Sequence, residues 1–302
     1  MNINLISNDN GVGLSQDMRI VKSILKGHKC TIVDMLKHQQ PPKADINIHF
    51  EILNNLNYHS APVNLFFPNP EWFDFPAMLK GIDLVLCKTK DSERIFSRMT
   101  RKTVYTSFTS EDHYQPFDEV EQRVYLHTAG QSRAKGTDAV FKAWKQDYPD
   151  LILTKLNNFK RYERHPENLL TCFQRIEKPL LLEIQNKCTF HLCPSECEGF
   201  GHYIWEAKSC RGIVITTDAP PMNEMVTEGV DGFLVKANIS RRVKFARAHT
   251  VDVTHLQQVI EKTFTLTDKE IERMRKASRA SWERNDKFFK DKLLQIISGY
   301  GS

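Results

Sequence analysis

The chain has 302 residues, 40% of them hydrophobic, and a formal net charge of +5. Its length suits two domains of ordinary size, and no apolar run approaches the roughly 20 residues of a membrane-spanning helix. The N-terminus lacks the basic and apolar segments of a signal peptide, and the seven cysteines lack the paired spacing of a zinc site, so we expect a soluble protein of the cytoplasm.

Short apolar runs alternate with longer polar segments through the first half of the chain. This alternation predicts a parallel sheet whose strands are joined by crossover helices. The predicted strands are residues 3–7, 31–34, 46–50, 63–67, 84–87 and 104–105. The predicted helices are residues 17–25, 76–80 and 92–99.

Candidate site residues of the first half follow its predicted strands. Gly11 and Gly13 come after the first strand, where glycine lets the backbone approach a ligand closely, although a plain turn fits them nearly as well. His49, Asn69 and Glu71 stand at the ends of the third and fourth strands. A dinucleotide-binding dehydrogenase is disfavoured, because the chain lacks the third glycine that its fingerprint requires after the first strand.

The second half repeats the alternation of strands and helices. Its predicted strands are residues 124–128, 151–156, 190–193, 212–216 and 232–235. Its predicted helices are residues 137–147, 179–187, 201–210 and 255–264, and a charged amphipathic helix follows at 267–297.

The most informative stretch of the chain contains two glutamates, Glu198 and Glu206, eight residues apart. Gly199, Phe200 and Gly201 form a turn directly after the first of them. An apolar strand precedes the turn and a helix is predicted to follow it. The free N–H groups at the start of this helix would then lie close to a carboxylate at the end of the strand. α/β proteins bind nucleotides or phosphates at such positions. Taken alone, the two glutamates fit a helix cap and a solvated helix residue equally well.

An ordered series of motifs surrounds these glutamates. Its members are residues 130–136 (G-Q-S-R-A-K-G), 198–201 (E-G-F-G), 206–207 (E-A), 212–215 (G-I-V-I), 217–224 (T-D-A-P-P-M-N-E) and 228–235 (E-G-V-D-G-F-L-V). The series is far more specific than any one member. Over about residues 124–236 it resembles the signature of GT-B glycosyltransferases of the family 4 type, whereas the first half resembles that family only in outline.

The resemblance implies an α/β fold of the GT-B type, with two Rossmann-like domains whose parallel sheets face a central cleft. Residues 1–118 would form the acceptor domain, residues 119–282 the nucleotide-sugar donor domain, and residues 283–302 a helix that crosses back to the first domain. The implied activity is that of a retaining glycosyltransferase, a hexosyl- or pentosyltransferase. It would use a UDP- or GDP-sugar without a metal ion or other cofactor, and act on a hydroxyl of a glycan, lipid or small molecule.

The same resemblance implies the roles of donor-site residues. Lys135 and Arg133 would bind the donor diphosphate, Glu198 the sugar hydroxyls and Glu206 the ribose. The remaining donor-binding residues would contribute mainly backbone groups: Gly11, Gly13, Gly130, Gly199, Phe200 and Gly201.

Family members often carry a histidine near the sugar, in the loop after the fourth strand. This chain has Asn69 and Glu71 there, and we predict them as catalytic residues together with Glu198 and Lys135. The spacing of Arg133 and Lys135 also differs from the family, because only one residue separates them.

Two other functions stay open from the sequence. Basic clusters at residues 98–102, 160–165 and 241–244 also fit a DNA glycosyltransferase that acts on a hydroxymethylated base, whose DNA binding would weaken steeply with salt. A non-catalytic nucleotide-sugar-binding module would bind the donor without turnover. DNA and a peripheral membrane surface are therefore open as partners beside the donor and the acceptor.

Overall fold

The computed structural model describes residues 1–11, 13–116, 121–155 and 165–301. Contacts within the chain divide it into two units. Unit 1 consists of Met1–Thr109, Arg242–Arg247 and Asn285–Ser302, and unit 2 consists of Ser110–Arg241 and Ala248–Arg284. The expected boundary at residue 118 and most of the basic cluster at 160–165 lie outside the described residues.

Unit 1 contains a six-stranded parallel sheet with the strand order β2-β1-β3-β4-β5-β6. Its strands are β1 (Asn2–Ser7), β2 (Lys29–Asp34), β3 (Ile46–Phe50), β4 (Val63–Phe67), β5 (Leu84–Cys87) and β6 (Thr103–Tyr105). Its helices are α1 (Gly13–Ile24) and α2 (Lys90–Phe96). All six strands lie where the apolar runs predicted them, whereas the predicted helix near residue 76 is a 3-10 helix at Pro76–Gly81.

Polar side chains cross the buried centre of this sheet. Asn4 Nδ2 donates to Asn47 Oδ1 at 2.9 Å, and Asn47 Nδ2 donates to Asn64 Oδ1 at 3.0 Å. These asparagines of β1, β3 and β4 form an amide ladder across three neighbouring strands, which satisfies polar groups that would be costly to bury alone. His49 Nε2 donates to the same Asn64 oxygen at 3.1 Å, and burial lowers the pKa of His49 to about 4.

Unit 2 contains a second six-stranded parallel sheet, with the order β12-β11-β10-β7-β8-β9. Its strands are β7 (Glu121–Gly130), β8 (Leu151–Lys155), β9 (Leu169–Cys172), β10 (Cys188–Cys193), β11 (Ile213–Thr217) and β12 (Gly232–Val235). Its helices are α3 (Thr137–Ala143), α4 (Lys178–Lys187), α5 (His202–Ser209), α6 (Val253–Phe264) and α7 (Asp268–Ser298), the last of which ends in unit 1.

Two features of the second half differ from the sequence-based expectation. Strand β9 was not predicted, because it has only four residues and includes Leu170, whose side chain is exposed. A separate two-stranded sheet, β13 (Ala237–Val243) and β14 (Ala246–Val251), was also not predicted. Five of the seven residues of β13 are exposed, so no alternation of apolar and polar residues marks the strand.

Unit 2 is built around an aromatic and aliphatic core. The ring of Tyr125 lies 4.9 Å from that of Phe190 and 5.1 Å from that of Trp144, measured between centroids. Every residue of β10 is buried, as expected for a central strand of a parallel sheet covered on both faces. The two sheets confirm the predicted α/β fold. In the described ranges, no helix is long and apolar enough to cross a membrane.

Each sheet has one position where the direction of strand addition reverses. In unit 1 it lies between β1 and β3, and in unit 2 it lies between β7 and β10. The loops that leave the carboxyl ends of two such strands turn away from each other and leave a crevice, where α/β proteins bind ligands. The loops that follow β1, β3, β7 and β10 border these two crevices and are therefore the candidates for ligand binding.

Candidate functional site

The loops after β7 and β10 contact each other at the crevice of unit 2. The amide of Glu196 donates to the carbonyl oxygen of Ala134 at 2.8 Å. Gly136 has a φ of +68°, and a Cβ atom at this position would lie 2.0 Å from the carbonyl oxygen of Pro194. Gly136 is therefore required for the two loops to approach this closely.

The two loops bring Lys135 and Glu198 together. Lys135 Nζ lies 2.5 Å from Glu198 Oε1, and the two side chains are 17% and 12% exposed. The hydroxyl of Ser195 donates to the same carboxylate oxygen at 2.5 Å. Because both charge-assisted bonds end on Oε1, the second oxygen of Glu198 keeps its capacity to accept hydrogen bonds.

Helix α5 begins at the glycine turn. Gly201, which precedes its first residue, has a φ of +86°. Gly201 has no side chain with which to cap this helix, and the first amides of a helix are suited to an anionic ligand. Gly199 and Phe200 are buried, and the Phe200 ring stacks on Trp205 with 6.2 Å between centroids. At Phe200 the candidate ligand group is therefore the backbone, while the ring belongs to the core.

A cavity of about 200 Å³ opens between the carboxyl ends of β7 and β8 and the helices α4 and α5. This space is large enough for several water molecules or for a small ligand group. Its polar wall residues include Thr128, Thr154, Gln185, Tyr203 and Glu206. Gly130 also lines the cavity, whereas Arg133 of the same loop is exposed.

Four polar side chains cluster at the carboxyl edge of the unit 1 sheet. The amide nitrogen of Asn69 donates to Glu51 Oε2 at 2.6 Å, and its oxygen accepts from Lys88 Nζ at 3.2 Å. Lys88 also pairs with Asp17 at 2.5 Å, and these two side chains are 2% and 3% exposed. Burial raises the pKa of Glu51, although the hydrogen bond from Asn69 opposes the shift. Asn69 thus connects Glu51 to a buried ion pair.

The other candidates of unit 1 are spread along its loops. Gly11 is exposed with a φ of +70°, and Gly13 is the first residue of α1. Glu71 is half-buried in the loop after β4. His49 lies near the end of β3, as predicted, but it is fully buried, because every residue of this strand is covered.

Sequence reasoning missed Glu51, Lys88, Ser195 and Tyr203. Glu51 directly follows β3, Lys88 directly follows β5, and Ser195 comes two residues after β10. A search for polar residues just beyond the carboxyl ends of parallel strands would have found these three. Tyr203 carries no such signal, because a tyrosine on the buried face of a helix is equally expected in a core.

The unit 2 site combines groups that bind anions with groups that bind hydroxyls. The ammonium of Lys135 and the first amides of α5 attract negative charge. The carboxylates of Glu198 and Glu206 accept hydrogen bonds from hydroxyls. Among the residues whose positions are described, no three His, Cys, Asp or Glu side chains are placed to hold a metal ion.

Comparison with known proteins identifies the domain that carries this site. Residues 111–248 match the family model described as glycosyl transferases group 1. None of the curated proteins compared with the sequence matches it.

Solved structures resemble the whole chain at low sequence identity. A glycosyltransferase from Rickettsia africae is 14% identical with a TM-score of 0.75, over 99% of this chain and 98% of that chain. The HepE protein of Anabaena, solved in complex with UDP-glucose, is 13% identical with a TM-score of 0.72, over 99% of this chain and 100% of that chain. Sucrose-phosphate synthase from Thermosynechococcus elongatus is 13% identical with a TM-score of 0.71, over 99% of this chain and 98% of that chain. The chain therefore carries a glycosyl transferases group 1 domain at residues 111–248 and has the GT-B fold.

Proposed function

We propose that this protein is a retaining glycosyltransferase that moves a hexosyl or pentosyl group from a UDP- or GDP-sugar to a hydroxyl of a glycan, lipid or small molecule. The observation that carries the proposal is the Lys135–Glu198 pair at the crevice between β7 and β10, beside the cavity that Glu206 lines. A cation, a carboxylate and a cavity lined by both polar and apolar groups suit the diphosphate, the sugar and the nucleoside of such a donor.

In this proposal the donor is bound by groups of unit 2. Lys135 and the amides at the start of α5 bind the diphosphate, and Arg133 contributes further positive charge from the same loop. Glu198 accepts hydrogen bonds from the sugar hydroxyls, and Glu206 accepts them from the ribose. The burial of Lys135 and Glu198 to more than four-fifths strengthens these interactions, because less water competes for the charged groups.

Retention of the anomeric configuration follows from attack on the face that the diphosphate leaves. The bond between the anomeric carbon and the phosphate oxygen breaks, the bond from the acceptor oxygen forms on the same face, and the acceptor proton passes to the departing phosphate. Lys135 stabilises the negative charge that develops on the leaving group. On the acceptor side we assign helper roles to Asn69, whose amide is oriented by Glu51 and Lys88, and to Glu71.

Donor binding is the first test. Thermal unfolding is measured with UDP, GDP, ADP and CDP, because a ligand that binds only the folded state raises the melting temperature. We expect UDP or GDP to raise it. UDP-glucose is the first sugar donor to assay for hydrolysis, because the Anabaena HepE protein was solved with it. A protein that no nucleotide stabilises and that hydrolyses no donor would contradict the proposal.

The role of Glu198 is tested by Glu198→Gln. We expect a loss in kcat on the order of 100-fold with nucleotide binding retained, which is the size seen when one preorganised electrostatic group is removed. Glu183→Gln is the matched control, because it removes an ordinary surface pair with Lys187 at 2.7 Å on α4. Nucleotide binding without turnover in the wild type would favour the binding module, and an inverted product anomer by NMR would exclude retention.

A further inference from the structure

The side chain of Tyr203 contacts Lys135 with its ring, and with its hydroxyl it contacts Ser195, which donates to Glu198. Tyr203 lies in the first turn of α5 and is 7% exposed. Its hydroxyl oxygen is 2.5 Å from Ser195 Oγ, and Ser195 Oγ is 2.5 Å from Glu198 Oε1. A chain of two short hydrogen bonds therefore joins a buried phenol to the carboxylate.

The hydrogen atoms of this chain can be assigned. Ser195 has one hydroxyl hydrogen, and an ionised carboxylate can only accept, so Ser195 donates to Glu198. The Ser195 oxygen must then accept its other hydrogen bond from the hydroxyl of Tyr203. Burial raises the pKa of Tyr203 well above its usual value of 10, so the phenol keeps this hydrogen at any pH at which the protein would work. The direction of both bonds is fixed.

The ring of Tyr203 performs a separate task. Lys135 Nζ lies 3.8 Å from the ring centroid, well inside the distance at which an ammonium is attracted to an aromatic face. The same nitrogen bonds Glu198 at 2.5 Å, so the ring supports the cation and the hydroxyl supports the anion. Tyr203 also lines the cavity beside Glu206, one helical turn further along α5.

We propose that Tyr203 is a positioning residue of the donor site, which orients Glu198 through Ser195 by its hydroxyl and holds Lys135 by its ring. The inference rests on the proposed function, because it assigns the task that this side chain performs for the two donor-binding groups. Its two parts are separable by substitution, since phenylalanine keeps the ring and leucine removes it.

The test uses Tyr203→Phe, Tyr203→Leu and Ser195→Ala in the full chain, with UDP-glucose hydrolysis and UDP affinity as readouts. Tyr203→Phe should lower kcat about tenfold and leave the UDP Kd within twofold, because one hydrogen bond to a charged network is lost. Tyr203→Leu should in addition raise the UDP Kd roughly threefold to tenfold, because the ammonium loses its aromatic face.

A double variant distinguishes positioning from a general loss of packing. If the hydroxyl acts through Ser195, Tyr203→Phe combined with Ser195→Ala should have the kcat of Ser195→Ala alone. Tyr148→Phe is the matched control, because Tyr148 is also 7% exposed and donates to Glu261 at 2.6 Å away from the site. Its kcat should equal that of the wild type.

Two results would overturn the inference: a wild-type kcat in Tyr203→Phe, or effects of the two substitutions that multiply in the double variant. Both require a wild type that binds and hydrolyses a donor. A wild type that does neither contradicts the proposed function itself, so the two failures are distinguishable. Melting temperatures of all variants show whether each one is folded.

Discussion

The carboxyl edges of the two sheets carry the same kind of ion pair in opposite settings. In unit 2, Lys135 and Glu198 lie 2.5 Å apart and are 17% and 12% exposed. In unit 1, Lys88 and Asp17 also lie 2.5 Å apart, but they are 2% and 3% exposed. The first pair borders the surface, and the second is enclosed by protein. Distance alone therefore does not distinguish them, whereas access to a ligand does.

The partly exposed pair of unit 2 can bind a ligand directly, whereas the enclosed pair of unit 1 can only hold neighbouring side chains in place. A buried ion is stabilised mainly by its partner, so Lys88 and Asp17 must stay together. Lys88 also contacts Asn69. Glu51 is half-buried, and it is the member of the unit 1 cluster that a ligand can reach. Lys135 and Glu198 can exchange part of their mutual attraction for a ligand, because water and ligand both reach them.

The largest expected effect tests this difference directly. Lys88→Met should lower the free energy of unfolding by about 3–5 kcal/mol, because it leaves Asp17 charged and buried. Lys135→Met should cost less, about 1–2 kcal/mol, because Glu198 keeps the hydrogen bond from Ser195 and is not fully enclosed. Urea unfolding at pH 7 measures both values.

The control for this prediction replaces both members of the buried pair. Lys88→Met combined with Asp17→Leu should recover most of the lost stability, since no charge is left without a partner. Equal losses of unfolding free energy in Lys88→Met and Lys135→Met would mean that burial does not make the two ion pairs differ in their contribution to stability.

A second contrast concerns the glycines that follow the first strand of each unit. Gly136→Ala should lower the free energy of unfolding by about 3 kcal/mol, because left-handed strain is joined by a clash with Pro194. Gly11→Ala should cost about 1 kcal/mol, because Gly11 has a similar φ of +70° but no atom within 4 Å of an added Cβ. Comparable losses would show that strain, and not contact between loops, dominates at Gly136.

The last contrast concerns two buried histidines, one in each sheet, whose effect develops only below about pH 6.5. Burial lowers the pKa of His49 and of His191 to about 4, whereas both titrate near 6.5 in the unfolded chain. Each histidine therefore contributes stability that is present above about pH 6.5 and is lost as the pH falls towards 4, because the unfolded state binds the proton first. The slope in this window should approach about 1.4 kcal/mol per pH unit for each residue.

Substitution by glutamine isolates this slope. His49→Gln and His191→Gln should each flatten the dependence of the unfolding free energy on pH between about 6.5 and 4. An unchanged slope in either variant would show that acid unfolding of that unit is controlled by other groups.

Much of the fold could be predicted because it depends on local patterns. The apolar residues of β1 to β6 and of β10 form short runs broken by few polar residues, and each run is bounded by polar or glycine-rich segments, so their positions were predictable. β13 was not, because its exposed residues lack any alternation that marks a strand. The donor-site loops could be recognised from motif order, because their glycines and charged residues stand close together in the sequence.

The unit 1 cluster could not be predicted, because its members are distant in the chain. Asp17, Glu51, Asn69 and Lys88 come from four different segments, and only the parallel sheet brings them to one edge. The chain from Tyr203 to Glu198 escaped prediction for another reason. It depends on the orientation of the Tyr203 hydroxyl and ring, which the spacing of residues in the sequence does not determine.

The amide ladder of unit 1 has a consequence for how the sheet assembles. Asn47 stands directly opposite Asn4 on one side and Asn64 on the other. A sheet joined one residue out of alignment would move neighbouring amides to opposite faces, and each would be buried without its partner. The ladder therefore selects one alignment of β1, β3 and β4 among several that the apolar residues alone would tolerate. It gives the sheet a means of rejecting mispaired strands while the chain is still folding.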